Sequence, residues 1–242
     1  MTEYTLTESG SGRPVLILHG GGGPFTVAPI AAHVAETALA IVPTLPGWNG
    51  TPRPDSLATV AGYAEYYSAL LEERDLDDVL VIGSSLGGWL AVELALRTPR
   101  VTGLVLVDAG GIEVPGEPMR DFFALDARGV AEYSFHDADK FYVDPATLPA
   151  EQLAGRRSNM ETMRVVAGDP YMHDPTLFDR LPGIAVPTLV VWGESDRIFT
   201  PGYGRAFAAQ IPGARFALVE KAGHLPQLEQ PEATCALLDS ML

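Results

Sequence analysis

Short runs of consecutive apolar residues alternate along the chain with longer stretches whose apolar residues recur at helical spacing. Val15–Leu18, Leu39–Val42, Asp78–Ile82, Leu104–Val107, Thr188–Trp192 and Arg215–Val219 predict six strands. These runs are continuously apolar and rich in branched residues, the pattern of strands covered on both faces. Between them, Phe25–Glu36, Leu57–Leu71, Leu86–Arg97, Pro201–Gln210 and Ala233–Leu242 predict helices. The third should stop before Pro99, whose ring cannot continue it. Strand and helix in alternation predict an α/β fold built on a mostly parallel sheet.

The stretch from Ile112 to Pro182 breaks the rhythm. It is richer in charge, Pro and Met, its apolar residues group as helices do, and it is far longer than an ordinary connection. The expected organisation is therefore a core of residues 1–111 and 183–242 with a helical lid, 112–182, set into it.

Composition narrows the function classes. The chain has 242 residues, nearly half of them apolar, so its core needs no metal or disulfide staple. Its one cysteine, Cys235, lies in an apolar helical pattern without a neighbouring base and reads as a buried small hydrophobe. A net charge of −15 excludes a polyanionic partner such as nucleic acid, which requires clustered Lys and Arg. The N-terminal residues show no leader pattern, and no apolar stretch reaches membrane-spanning length. The expectation is a cytoplasmic, reduced protein with a small-molecule substrate and no membrane partner.

Candidate chemistry begins at Gly83-Ser84-Ser85-Leu86-Gly87-Gly88, directly between a predicted strand and a predicted helix. A serine on so sharp a turn projects its hydroxyl above the sheet, and glycines two residues to either side relieve the crowding. The flanking glycines centre on Ser85 rather than Ser84. The helix that follows would aim the N–H of Leu86 at a developing oxyanion.

Such a serine needs a base. Of His19, His33, His136, His173 and His224, the last follows the final predicted strand and so shares the carboxyl edge of the sheet with Ser85. His19 opens a glycine loop and suits a structural hydrogen bond, whereas His33, His136 and His173 fall on a helix or in the insertion. For the carboxylate that orients the base, Asp196 is preferred, with Asp108 and Glu194 as rivals at strand ends. The order Ser, Asp, His is that of the α/β-hydrolase triad. A second oxyanion donor would come from Gly21 or Gly22 in His19-Gly20-Gly21-Gly22-Gly23-Pro24. A phosphate cradle is disfavoured there, because no Gly-Lys-Ser/Thr follows.

Together with Pro46-Gly47-Trp48, Gly193-Glu194-Ser195-Asp196-Arg197 and Gly223-His224-Leu225-Pro226-Gln227-Leu228-Glu229, these motifs resemble the α/β-hydrolase superfamily over nearly the whole chain. The resemblance implies an eight-stranded, mostly parallel sheet with a lid after the sixth strand. The short N-terminus points to seven strands, with the opening one missing. Serine at position 85 argues against haloalkane dehalogenases and epoxide hydrolases, which carry Asp there. The glycine loop resembles that of carboxylesterases, carbon–carbon hydrolases and proline iminopeptidases. Leu86 departs from the Trp usual in iminopeptidases, and Ser84 and the modest insertion depart from the carbon–carbon hydrolases.

The expected activity is hydrolysis of a carboxylic ester or lactone of a small, largely apolar substrate through an acyl-enzyme, with no metal or organic cofactor. The alternatives are hydrolysis of a carbon–carbon bond in a vinylogous diketone, or a non-catalytic binding protein on the same fold. Trp48, Phe122, Phe123, Met160 and Met163 are candidate pocket residues, with Tyr133 beside them.

Overall fold

The computed structural model describes residues 4–242; Met1–Glu3, where the segment read as lacking a leader begins, lie outside the described residues. In chain order its elements are β1 (Leu6–Gly10), β2 (Pro14–Leu18), α1 (Ala28–Val34), β3 (Leu39–Pro43), α2 (Val60–Glu73), β4 (Val79–Ser84), α3 (Leu86–Ala95) and β5 (Val101–Val107). Four helices follow before the sheet resumes: α4 (Ala127–Ser134), α5 (Ala138–Phe141), α6 (Ala150–Ala167) and α7 (Leu177–Arg180). The chain then forms β6 (Thr188–Gly193), α8 (Pro201–Gln210), β7 (Arg215–Val219), α9 (Pro226–Glu229) and α10 (Pro231–Leu238).

The strands make one seven-stranded sheet in the order β1-β3-β2-β4-β5-β6-β7. All neighbours run parallel except β1, which pairs antiparallel with β3 at the edge. Seven strands, one fewer than the resemblance implies, put the helical segment after the fifth strand of this chain and not the sixth. Strand β1 escapes the apolar pattern because it is an edge strand, Leu-Thr-Glu-Ser-Gly, mostly exposed.

The continuous apolar runs have the predicted cause. Alternate residues of one strand enter opposite layers: Leu16 and Leu18, Val79 and Val81, Leu104 and Leu106 pack with α2, α3 and α8. Val15 and Ile17, Leu80 and Ile82, Val105 and Val107 pack with α1 and α10. Helix ends follow local chemistry. Thr59 accepts the N–H of Gly62, so α2 starts at Val60 and leaves Leu57 before it. Pro201 follows the capping Thr200 at the start of α8. The predicted first helix is instead a 3-10 turn, Pro24–Val27, running into α1. The last predicted helix starts at Pro231 and ends at Leu238, and it buries Cys235.

Two polar anchors fix the parts that surround the sheet's carboxyl edge. His19, fully buried, accepts the N–H of Leu45 at Nε2 (3.1 Å) and lies 2.8 Å through Nδ1 from the carbonyl of Gly20. A ring that accepts at Nε2 and donates at Nδ1 is neutral, and burial lowers its pKa to about 4. The second anchor ties α7 to α3. Arg180 grips Glu93 with both ends of its guanidinium (2.6 and 3.0 Å), and Arg97 bonds the same carboxylate. Burial alone would raise the Glu93 pKa, but the two arginines override it and lower it.

Both anchors have measurable consequences. The folded state resists protonating His19, whereas the unfolded chain takes up that proton below about pH 6.5. Its contribution to stability is therefore complete above that pH and is lost as pH falls towards 4. Urea unfolding at pH 7 and pH 4.5 should show His19→Gln losing about 2 kcal/mol less than wild type over that interval. Equal losses would contradict the buried neutral ring. Arg180→Ala should lower unfolding free energy at pH 7 by about 2 kcal/mol, since it leaves Glu93 short of a partner; no change would show the pair to be idle.

Candidate active site

Ser85 lies where β4 turns into α3, with φ 56° and ψ −118°, a conformation that non-glycine residues seldom adopt. Backbone hydrogen bonds over-determine it. Its N–H donates to Val107, and its carbonyl accepts from Gly88, Trp89 and Gly110 at 2.9–3.2 Å. The turn also needs bare glycines beside it: a Cβ at Gly83 would run into the carbonyl of Gly87, and one at Gly87 into that of Leu18.

The hydroxyl of Ser85 is 2.9 Å from Nε2 of His224, and Nδ1 of His224 is 2.8 Å from Oδ2 of Asp196. A carboxylate only accepts, so Nδ1 carries the ring proton and Nε2 faces the hydroxyl as an acceptor. Oδ1 of Asp196 takes the N–H groups of Ile198 (2.8 Å) and Phe199 (3.2 Å), which fixes the carboxylate's rotation. All three residues are buried, with Ser85 9 % exposed. They come from the ends of β4, β6 and β7, which parallel strands bring to one edge.

The other histidines lie elsewhere. His33 pairs with Asp239, His136 meets Ser195 Oγ (2.8 Å), and His173 bonds the carbonyl of Tyr171. Glu194 is exposed and accepts from the N–H of Lys221. Asp108 is buried within the cluster, accepts the N–H of Gly193 (3.0 Å), and makes no bond to His224. One ligand atom each from Asp108, Asp196 and His224 lies within 4.8 Å of the others, the acid and histidine grouping that could hold a metal ion among the described residues. With Nδ1 committed to Asp196 and Nε2 to Ser85, its geometry is that of a proton relay.

The glycine loop forms one wall. Gly20 packs so closely that a Cβ on it would lie 2.8 Å from that of Ser85. The carbonyls of the loop are all taken: Gly20 by His19 and Gly23, Gly21 by Trp48 Nε1 (3.1 Å), Gly22 by Asn159 Nδ2 (3.2 Å). In a trans peptide the next N–H points the opposite way. The amides of Gly21 and Gly22 therefore face away from those partners.

Above Ser85 and His224 is a cavity of about 480 Å³. Phe122, Met160 and Met163 line it, with Leu125, Phe135 and Phe141 of the helical segment and Phe199 and Leu225 of the core. Trp48 does not. It is wholly buried behind the glycine loop, edge-on to His19 and Tyr63, where its indole N–H finds the Gly21 carbonyl. Phe123 also turns away from the cavity and packs against Tyr171 beneath the Arg164 guanidinium, and Tyr133 sits under Arg120.

Glu229 was visible only as a letter of the histidine motif. Its buried carboxylate gathers the N–H groups of His136, Asp137 and Gly223 (2.5–3.1 Å). Next to it, the His224 N–H donates to the carbonyl of Ser134 (2.6 Å) and that of Arg197 to Tyr133 (3.2 Å). The end of α4 is thereby stitched to the loops that carry both His224 and Asp196. Backbone partners leave no signature in sequence, so only Glu229 itself could have been suspected.

Residues 15–237 match the Alpha/beta hydrolase family. A 2-hydroxy-6-oxo-6-phenylhexa-2,4-dienoate hydrolase of Burkholderia cepacia is 27 % identical over 249 residues, 94 % of this chain and 87 % of that protein. Lipase 1 of Psychrobacter immobilis is 27 % identical over 254 residues, 96 % of this chain and 77 % of its own. In structure, an esterase from Exiguobacterium antarcticum superposes with a TM-score of 0.79 at 21 % identity, covering 98 % of this chain and 94 % of that one. The match spans the parallel strands, the serine turn and the histidine loop, and the chain belongs to the alpha/beta hydrolase family.

Proposed function

We propose that the protein hydrolyses the carboxylic ester or lactone of a small, largely apolar substrate, with Ser85 as nucleophile. The observation that carries this is the unbroken run of hydrogen bonds from Ser85 through His224 to Asp196 at the floor of an apolar cavity. His224 Nε2 takes the hydroxyl proton as Oγ attacks the carbonyl carbon, and Asp196 stabilises the imidazolium. The oxyanion is met by the N–H of Leu86, free at the first turn of α3, and by that of Gly21, whose peptide turns its carbonyl towards His19 and Gly23. The intermediate collapses to an acyl-enzyme as His224 protonates the departing alcohol, and water then attacks with His224 again as base. No step calls for a metal or organic cofactor. Residues 112–182 act as the lid, and its Met160 and Met163 supply adaptable apolar wall against the acyl or alcohol group.

A second reading, hydrolysis of a carbon–carbon bond in a vinylogous diketone, is favoured by the similarity to the Burkholderia cepacia dienoate hydrolase along nearly the whole chain. The same three residues would serve it. A binding protein without catalysis has less support, because every proton-transfer contact is in place.

A panel of short-chain p-nitrophenyl esters, lactones and vinylogous diketones, run with wild type and Ser85→Ala, decides among these. The expected result is turnover of esters or lactones well above diketones, and a loss of roughly 10⁵-fold in kcat on Ser85→Ala. Asp196→Asn should cost about 10⁴-fold in kcat, because Asn fixes the wrong tautomer of His224. Wild-type rates from Ser85→Ala would end the proposal, and diketone rates above ester rates would replace it with the second reading.

A further inference from the structure

Asp108 closes β5, the strand beside the nucleophile's, and the mechanism above gives it no part. Yet it holds φ at 45°, in the left-handed region that few side chains enter, and it is completely buried. Oδ1 accepts the N–H of Gly193, but Oδ2 is buried without any donor. The groups that face it are Asp196 from the loop after β6, and His224 and Glu229 from the segment after β7. Both charges acting on it are negative, and among the described residues no cation offsets them.

Two carboxyl groups side by side in a dry site do not both ionise. The contest between them is uneven. Asp196 has an imidazole and two backbone N–H groups to stabilise its charge; Asp108 has one N–H. Burial first, and then the charge of Asp196, hold the carboxyl of Asp108 well above the usual carboxylate range. A neutral acid also resolves the orphaned oxygen, since a protonated Asp108 becomes an O–H donor to the Asp196 carboxylate it packs against.

We propose, building on the serine-hydrolase reading, that Asp108 is a positioning residue that keeps its proton and donates it to the Asp196 carboxylate. This adds a bond to the three that Asp196 already accepts and fixes the oxygen that faces His224. It also keeps a second negative charge away from the imidazole. Asn, with the same shape, an acceptor for Gly193 and a donor for Asp196, should replace it; Ala should not.

The test combines kinetics with NMR titration of the His224 ring in wild type, Asp108→Asn and Asp108→Ala. Asp108→Asn should leave the ring's titration midpoint within about 0.3 pH units of wild type, because no charge is removed. Its kcat should stay within roughly threefold of wild type, while Asp108→Ala should lose about tenfold or more in kcat with KM little changed. A midpoint lowered by about one unit in Asp108→Asn would show that Asp108 is ionised and overturn the proposal. Wild-type kcat in Asp108→Ala would overturn it as well. The NMR comparison needs no substrate, so it still decides the role of Asp108 if the ester activity fails, and Asp108→Asn decides it if the alanine variant does not fold.

Discussion

The strained turn at Ser85 is the constraint around which the rest of the site is arranged. Positive φ at a serine costs free energy, and four backbone hydrogen bonds to β5, α3 and the loop beyond β5 hold it there. That strain lifts the hydroxyl clear of the sheet, and it is tolerated because Gly83 and Gly87 let neighbouring backbone close in. The parallel sheet then supplies the geometry, since the strands that end beside Ser85 deliver Asp196 and His224 to the same edge. The same close approach brings Gly20 against Ser85, so one backbone contact sets both the serine turn and the glycine wall beside it.

Around this edge the polar groups act mainly by fixing backbone. His19 locks the glycine loop, Asp196 is held by two amides, and Glu229 joins the end of α4 to the histidine loop. The helical segment is therefore secured close to Ser85 and His224, and Arg180 ties its far end to α3 through Glu93. The free wall between these attachments is apolar and rich in Met and Phe, which can adapt to apolar groups of variable shape.

What could be read from sequence followed the range of the physics involved. The five inner strands were legible because burial on both faces writes an unbroken apolar run, and edge strand β7 because it keeps apolar residues although it is partly exposed. Ser85, Asp196 and His224 were legible because turns at strand ends carry short, local constraints. Edge strand β1, with one polar exposed stretch, wrote no such signal. Trp48 and Phe123 are candidate pocket residues by sequence, but partner choice over long sequence distances turns them away: the indole to Gly21 and the phenyl ring to Tyr171. In the sequence, Asp108 reads only as a rival acid. Its burial against Asp196, with one oxygen unpaired, depends on three strand ends meeting and could not be seen in any one of them.

If the Ser85 turn activates its hydroxyl as proposed, this serine is far more nucleophilic than the chain's other serines. Intact-mass and peptide mass spectrometry after treatment with a fluorophosphonate probe test it most directly. The expected result is one adduct per chain, on the peptide bearing Ser85, absent in Ser85→Ala and sharply slowed in His224→Ala. No adduct, or one that persists on Ser84 or another residue in Ser85→Ala, would contradict it.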